Sequence, residues 1–583
     1  MEIKAVSVVL SLFYSLASAQ SSDPCKLLPG DERWPSETQW GSLNATVQGR
    51  LIATLPLPHV CHSQPFGAFS ESACAEVKAK WLNDQTFLNN PAEVMNPYVQ
   101  NQSCDPFTPA SNTCDLGNYA SYSIKVTGPD DVIAGVKFCR ENNIRLVIKN
   151  TGHEYAHRSR LRLALTRFAG KSTGKGALSL WTHQLNTTEI LPSYQSPDYN
   201  GPAVKLGAGV VGGLVYNVVG AAGFRILGGT CPTVGLAGGY TSGGGHSLLN
   251  GLYGMAADAV LEWEVVTAQG EHLTATPHTN ADLYWALSGG GAGTFAVVLT
   301  MTTKIFPDGP IGSGSLTFNA TESNYWGGIE DIWSYLPQFV DAGPNTWDFG
   351  ISPTGFQSLA ITVPNRSSDE VRQLLQPLLD SLEKRNISYE YSPSESPTYL
   401  EHFSKRFGRG ISGAGPANVQ LASRLIPRAG VVNTTQNTAI VDAMRAFVDN
   451  KHWSLGCHAL NVKDIKHPDN AVLPKWREAI ATCNIVSTWD WDVPWSEMQS
   501  RKELLVSTLI PRLENVTAGA GTYLNELEAQ WRGDWKKELY AGNYDRLLAI
   551  KSKYDPDHVF YAWTAVGSDS WVVDGSGRLC RTT

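Results

Sequence analysis

The 583-residue chain has no low-complexity tract and no run of basic residues, and its 46 Lys and Arg against 54 Asp and Glu leave a net charge of −8. That balance gives no footing for nucleic acid, which is met by clustered Lys and Arg. Long apolar runs are also missing after the first residues, so no later segment is expected to span a bilayer. Apolar content is otherwise ordinary, which implies a globular chain throughout. At this length one compact core is not expected; two large domains, or one domain split by an insertion, are.

The start, "MEIKAVSVVLSLFYSLASAQ", places one lysine before an apolar run that ends in Ala17-Ser18-Ala19. It reads as a signal peptide over residues 1–19, cut before Gln20, so the mature chain is expected to be secreted and free of the membrane. Export agrees with Asn-x-Ser/Thr acceptors at Asn44, Asn101, Asn186, Asn319, Asn365, Asn386, Asn433 and Asn515. It also agrees with ten cysteines, enough for several disulfides. Cys61 with Cys74, Cys104 with Cys114, and Cys457 with Cys483 are plausible neighbours, and Cys25 with Cys580 would tie the ends together. Connectivity is not readable from sequence, so this pairing is one of many. On it, Cys139 and Cys231 are left over. Cys139 shares a helical apolar face with Val132 and Val136 and is expected to be a buried thiol.

Residues 20–117 read as a loop-rich, cystine-containing extension. From Tyr122 the pattern becomes strand ("YSIKV"), helix opened by Pro129-Asp130-Asp131, and strand ("IRLVIKN"), a β-α-β start. Strand and helix patterns continue through "AVKLGAG", "VGGLVYNVVGAAG", "AADAVLEWEVVTAQGE" and "DLYWALSGGGAGTFAVVLTMTTKIF". Residues 118–307 are read as a cofactor domain, 308–513 as an inserted substrate domain, and 514–583 as a segment returning to the first domain. "WDWDVPW", Trp489 to Trp495, offers either an aromatic pocket wall or simple packing.

Two nucleotide motifs are incomplete. "GAGVVG", residues 207–212, has the glycine spacing of a dinucleotide fingerprint but lacks the acidic residue required about 20 positions on. "AGKSTGKG" resembles a phosphate-binding loop, but the position of its first required glycine is Leu165. The long loop "GGTCPTVGLAGGYTSGGGHS", Gly228 to Ser247, is different: it has almost no charge, and its bare backbone amides can cradle a diphosphate. No metal-ligand spacing stands out.

Together, "VIKNTGHEY", this loop, "YGMAADAVLEWEVVTAQGE", "DLYWALSGGGAGTFAVV", "NYDRLLAIKSKYDPDHVF" and "GRLCR" resemble the exported flavin-linked oxidases of the vanillyl-alcohol oxidase class, in the berberine bridge enzyme-like branch. The likeness covers nearly the whole mature chain and is nearest to fungal members tied to secondary metabolism or phenolic oxidation. It implies an α+β fold: a two-part FAD-binding domain of the p-cresol methylhydroxylase type with an inserted α/β substrate domain over the flavin. It implies FAD held twice, by His153 through the flavin 8α-methyl and by Cys231 through ring carbon C6. Thr151, Gly152, Pro232, Thr233, Val234, Gly235, Gly238, Gly239, Gly243, Gly244, Gly245 and His246 are then the surrounding cofactor-binding residues. In plant relatives the residue three after the cysteine gates oxygen, valine permitting its reaction; Val234 is that residue and implies an oxidase that yields hydrogen peroxide.

A small-molecule substrate and dioxygen are the expected partners, and the chain is expected to be a monomer. The substrate reading stays divided between hydride removal from an alcohol, phenol or related metabolite and flavin-driven cyclisation or coupling; a non-catalytic binding glycoprotein is the third class. Two departures from the family stand out. The plant Y-x-N-Y segment that supplies a tyrosine base reads "YLNE" here, which puts Glu526 in the tyrosine's place, with Tyr155 and Tyr523 as other catalytic candidates. And His157 to Ala169 interrupts the family's T-G-H-x-Y-x-G-K-S-T-G pattern, an insert expected to bulge away from the fold.

Overall fold

The computed structural model describes residues 24–67, 69–100, 103–153, 170–408, 419–528 and 530–582. The signal segment, Asn101, Tyr155 and the 157–169 insert lie outside the described residues.

The β-α-β start is present. Tyr122–Lys125 and Arg145–Lys149 both pair in parallel with Ala177–Trp181, and Leu51–Ala53 adds an antiparallel edge to this four-stranded sheet. The connecting helix, Pro129–Glu141, has proline in its first turn and carboxylates where the helix dipole favours them. Val132, Val136 and Cys139 form its buried face, and Cys139 is a free thiol there. A second, five-stranded antiparallel sheet follows, ordered Thr188–Ser196, Tyr199–Gly207, Ala296–Lys304, Val260–Thr267 and His272–Ala275.

Residues 311–488 contribute a seven-stranded sheet, antiparallel throughout. Helices Tyr325–Asp341, Ser368–Lys384 and Thr434–Asp449 pack together against it. Ser368–Lys384 shows why: a Ser367/Glu370 capping box starts it, and Val371, Leu375, Leu378, Leu379 and Leu382 form one buried stripe. The core between sheet and helices holds Trp333, Trp347 and Phe349, all fully buried. The last helix, Tyr544–Tyr554, packs on Ala281–Leu287, and Leu146 and Phe560 form a β-bridge to the first sheet. Lys551 holds this return, donating to Thr294 O (2.7 Å), Phe560 O (2.7 Å) and Asp555 (2.5 Å).

All four expected disulfides are present: Cys25–Cys580, Cys61–Cys74, Cys104–Cys114 and Cys457–Cys483. The extension is more helical than its sequence suggests. Glu37–Thr46 and Glu71–Lys80 are helices, started by the Ser36 and Ser70 side chains, which accept from backbone N–H groups. Their weak apolar periodicity hides them, because the segment is held by cystines and by packing on the main body. Trp489 packs with Tyr98, and Trp491 stacks on Phe107, so "WDWDVPW" is a packing element joined to the extension. Among the described residues no helix is long and apolar enough to cross a membrane.

Candidate active site

The loop after Arg145–Lys149 brings Thr151, Gly152 and His153 to the wall of a cavity of about 400 Å³. Gly152 has a φ of +85°, and a Cβ there would lie 3.0 Å from Glu93 O, so the turn that presents His153 needs a glycine. The extension clamps this turn from behind, Met95 N–H donating to Gly152 O at 2.8 Å.

The glycine-rich loop forms the adjoining wall with Cys231, Val234, Gly235, Gly238, Gly239 and His246. A Cβ at Gly239 would meet only Ala292 Cβ, at 3.9 Å, so open space lies in front of this backbone. Pro232, Thr233, Gly243, Gly244 and Gly245, also expected at the cofactor, do not line this cavity. Gly212 N–H and Gly213 N–H, at the start of helix Gly212–Ala221, donate to Val234 O (2.9 Å) and Pro232 O (2.8 Å). These first-turn donors fix the protein's own loop and are not offered to a phosphate, as the incomplete fingerprint at 207–212 implied.

His153 and Cys231, 78 positions apart in sequence, meet at one hydroxyl. His153 Nε2 is 2.9 Å and Cys231 Sγ 3.3 Å from Thr233 Oγ1, which itself donates to Asp84 Oδ2 at 2.7 Å. His153 Nδ1 is buried and has no partner among the described residues. Burial, and then the nearby Lys149 ammonium, lowers His153 to about 3 against a hydrogen bond to Thr233, so its imidazole is neutral. Burial pushes the Cys231 thiol up, with its hydrogen bonding to Thr233 acting against it.

The third wall comes from the turn Leu524–Glu526, with Leu421 and Asn484 of the seven-stranded sheet. Asn525 Nδ2 donates to Gly239 O (2.8 Å) and to Tyr523 Oη (2.7 Å), which locks this turn to the glycine loop. Glu526 Oε1 lies 3.5 Å from His246 Nε2, and its Oε2 is buried without a partner among the described residues. His246 lies against the rings of Tyr523 (5.4 Å) and His458 (5.1 Å), and His458 Nδ1 is hydrogen-bonded to Asp348. Burial by itself would lower His246; the hydrogen bond and charge of Glu526, then the charge of Asp348, outweigh it, and the net displacement is upward. Burial, then the Glu526 charge, pushes Tyr523 far up, so its phenol keeps its proton.

The donor set suits an isoalloxazine ring system. An imidazole nitrogen without a partner among the described residues and a free thiol, in a chain that pairs eight of its ten cysteines, belong to residues that line a cavity backed by bare glycine backbone. Residues 120–276 match the FAD binding domain model, and residues 522–567 match the model described as berberine and berberine like. A bifunctional decalin synthase of Penicillium decumbens, calF, is 65% identical over 100% of both chains. A solved VAO-type flavoprotein, MtVAO615 from Myceliophthora thermophila C1, is 45% identical, with a TM-score of 0.90 over 96% of this chain and 100% of that one.

The chain belongs to the VAO-type, berberine bridge enzyme-like family of FAD-linked oxidoreductases.

More distantly, glucooligosaccharide oxidase from Acremonium strictum, described as carrying 6-S-cysteinyl, 8α-N1-histidyl FAD, shares the fold at 17% identity with a TM-score of 0.60, over 77% of this chain and 92% of that one. For this VAO-type oxidoreductase, sequence reading reached His153, Cys231, His246, Tyr523 and Glu526. It missed Asp84, Asp348 and His458. Asp84 sits in the extension with no motif around it. Asp348 and His458 lie on paired strands, Thr346–Ser352 and Ser454–Ala459, at buried positions where a charged side chain is unusual. That incongruity was the one available signal.

Proposed function

We propose that this chain is an oxidase whose FAD is joined to His153 and Cys231, and that it takes hydride from a hydroxyl-bearing secondary metabolite and passes the electrons to dioxygen, giving hydrogen peroxide. The observation that carries this is the convergence, in one cavity, of a neutral imidazole and free thiol with a separate buried acid–base group, Glu526 beside His246. The flavin, when bound, supplies the hydride acceptor and the route to dioxygen. The chain supplies the rest. Glu526, whose Oε2 has no partner among the described residues, accepts the substrate hydroxyl proton, and His246, beside Oε1, holds the carboxylate in place. Asn525 and Tyr523 keep the base-bearing turn in place. Val234 lines the cavity, in keeping with access for oxygen.

One observation favours a more specific outcome: the 65% identity, end to end, with a bifunctional decalin synthase. On that reading the alcohol is part of an unsaturated chain. Oxidation to a carbonyl draws electrons from the adjoining alkene and readies it for closure of two fused carbocycles within the same cavity. Residues 118–307 would then hold FAD, 308–513 the substrate, and 514–583 the returning segment with the base. Secretion as a monomeric glycoprotein agrees with four disulfides and with the exposure of Asn186, Asn319, Asn365, Asn386, Asn433 and Asn515; Asn44 is half-buried.

The test is direct. The purified chain should be yellow, keep its flavin through acid precipitation, and release peroxide with a polyunsaturated alcohol while forming a bicyclic product. Colourless protein, or flavin lost on denaturation, overturns the tethered reading. Oxidation without ring closure leaves the oxidase and removes the cyclisation.

A further inference from the structure

We propose that Asp84, on the N-terminal extension, is a positioning residue for flavin attachment: acting through Thr233, it receives the protons that His153 and Cys231 give up as they become joined to the cofactor. The inference rests on the doubly tethered reading above. Asp84 itself lies outside the matched FAD binding domain model, which begins at residue 120.

The donor atoms of Asp84, His153 and Cys231 all lie within 4.8 Å of one another, and the Thr233 hydroxyl joins them. A threonine hydroxyl has one proton to donate and two lone pairs to accept with. Here the proton is directed to Asp84 Oδ2 at 2.7 Å. Both lone pairs are thereby left for His153 Nε2–H at 2.9 Å and the Cys231 S–H at 3.3 Å. This arrangement selects one imidazole tautomer. With its proton on Nε2, His153 presents the Nδ1 lone pair, and Nδ1 is the buried ring nitrogen without a partner among the described residues. Asp84 itself is 2% exposed, and its Oδ1 has no partner among the described residues. Burial raises its affinity for a proton, with the Thr233 bond opposing, which suits an acceptor.

The chemistry balances with dioxygen as oxidant. Joining Nδ1 to the methyl carbon forms one N–C bond and breaks one C–H bond and the Nε2–H bond. Joining sulfur to the ring carbon forms one C–S bond and breaks one C–H bond and the S–H bond. Each link therefore releases two protons and two electrons, which reduce one dioxygen to hydrogen peroxide. In each link the proton from the protein side is the one handed to Thr233 while Thr233 passes its own to Asp84; the links form one at a time, and the proton held by Asp84 leaves in the hydrogen peroxide of the first before the second begins.

The test follows covalent flavin, independent of turnover. Full-length wild type, Asp84→Asn, Thr233→Val and Thr233→Ser are produced under riboflavin depletion, supplied with FAD in air, and quenched in acid at intervals. Flavin adducts on the peptides bearing His153 and Cys231 are then measured by mass. Asparagine keeps the acceptor oxygen facing Thr233 but cannot take a proton, so D84N should form both adducts about 100-fold more slowly. T233V should be slowed likewise, while T233S, which restores the hydroxyl, should recover attachment. A merely structural hydrogen bond to Thr233 Oγ1 would survive in D84N, which keeps the acceptor oxygen, so slow attachment in folded D84N is the readout that a structural role would not move. Wild-type rates of both adducts in T233V, or in folded D84N, overturn the relay. Absence of adducts in the wild type instead overturns the tethered reading on which it stands.

Discussion

Replacing Glu526 with glutamine should separate substrate oxidation from everything else the protein does. Glu526 Oε1 stands 3.5 Å from His246 Nε2, and at an effective dielectric of about 20 a charge pair at that distance is worth about 5 kcal/mol before desolvation. Glutamine keeps the shape and one acceptor but removes the charge. His246 then loses the partner that outweighs its burial, and its proton affinity should fall below the ordinary histidine value. Loss of a positioned general base costs about 10²–10⁴-fold in rate, or roughly 3–5 kcal/mol of barrier. The assay is anaerobic mixing of enzyme with its alcohol, following loss of the oxidised flavin band across pH. The variant should reduce its flavin at least about 100-fold more slowly, while covalent flavin content and melting temperature stay near wild type. Flavin reduction at the wild-type rate, with an unchanged pH profile, would refute the assignment of Glu526 as base.

Two further outcomes test the frame around the site. A Cβ at Gly243 would lie 2.4 Å from Asn525 Nδ2, so Gly243→Ala should displace the turn that carries Glu526; overpacking of this kind costs about 1–3 kcal/mol, and stability and flavin reduction rate should fall together in melting and rapid-mixing assays. Burial, then the charges of Arg406 and Lys405, lowers His402 to about 3, below its unfolded value of about 6.5, so its contribution to stability is full above pH 6.5 and is lost as pH falls toward 3. His402→Asn should flatten the pH dependence of denaturant unfolding between pH 6.5 and 4 by up to about 1.4 kcal/mol per pH unit, whatever its effect at neutral pH; an unchanged slope would contradict this.

The amino-acid sequence by itself determined the local chemistry. Glycine at 152 permits the turn that presents His153. Proline and two aspartates open helix Pro129–Glu141. Sequence proximity suggested three of the four cystines, Cys61–Cys74, Cys104–Cys114 and Cys457–Cys483, as one pairing among many, whereas Cys25–Cys580 closes across 555 positions and is fixed by the fold. These features are legible because a turn, a cap or a short cystine depends on residues a few positions apart. The tertiary structure alone decided which distant groups share a proton path. Asp84 reaches Thr233 across 149 positions, and Asp348 reaches His458 across 110. Neither carboxylate belongs to a periodic pattern or a motif. Each acquires a role only when folding brings it, desolvated, to a partner whose proton it can hold, and a sum over chain neighbours carries no trace of that encounter.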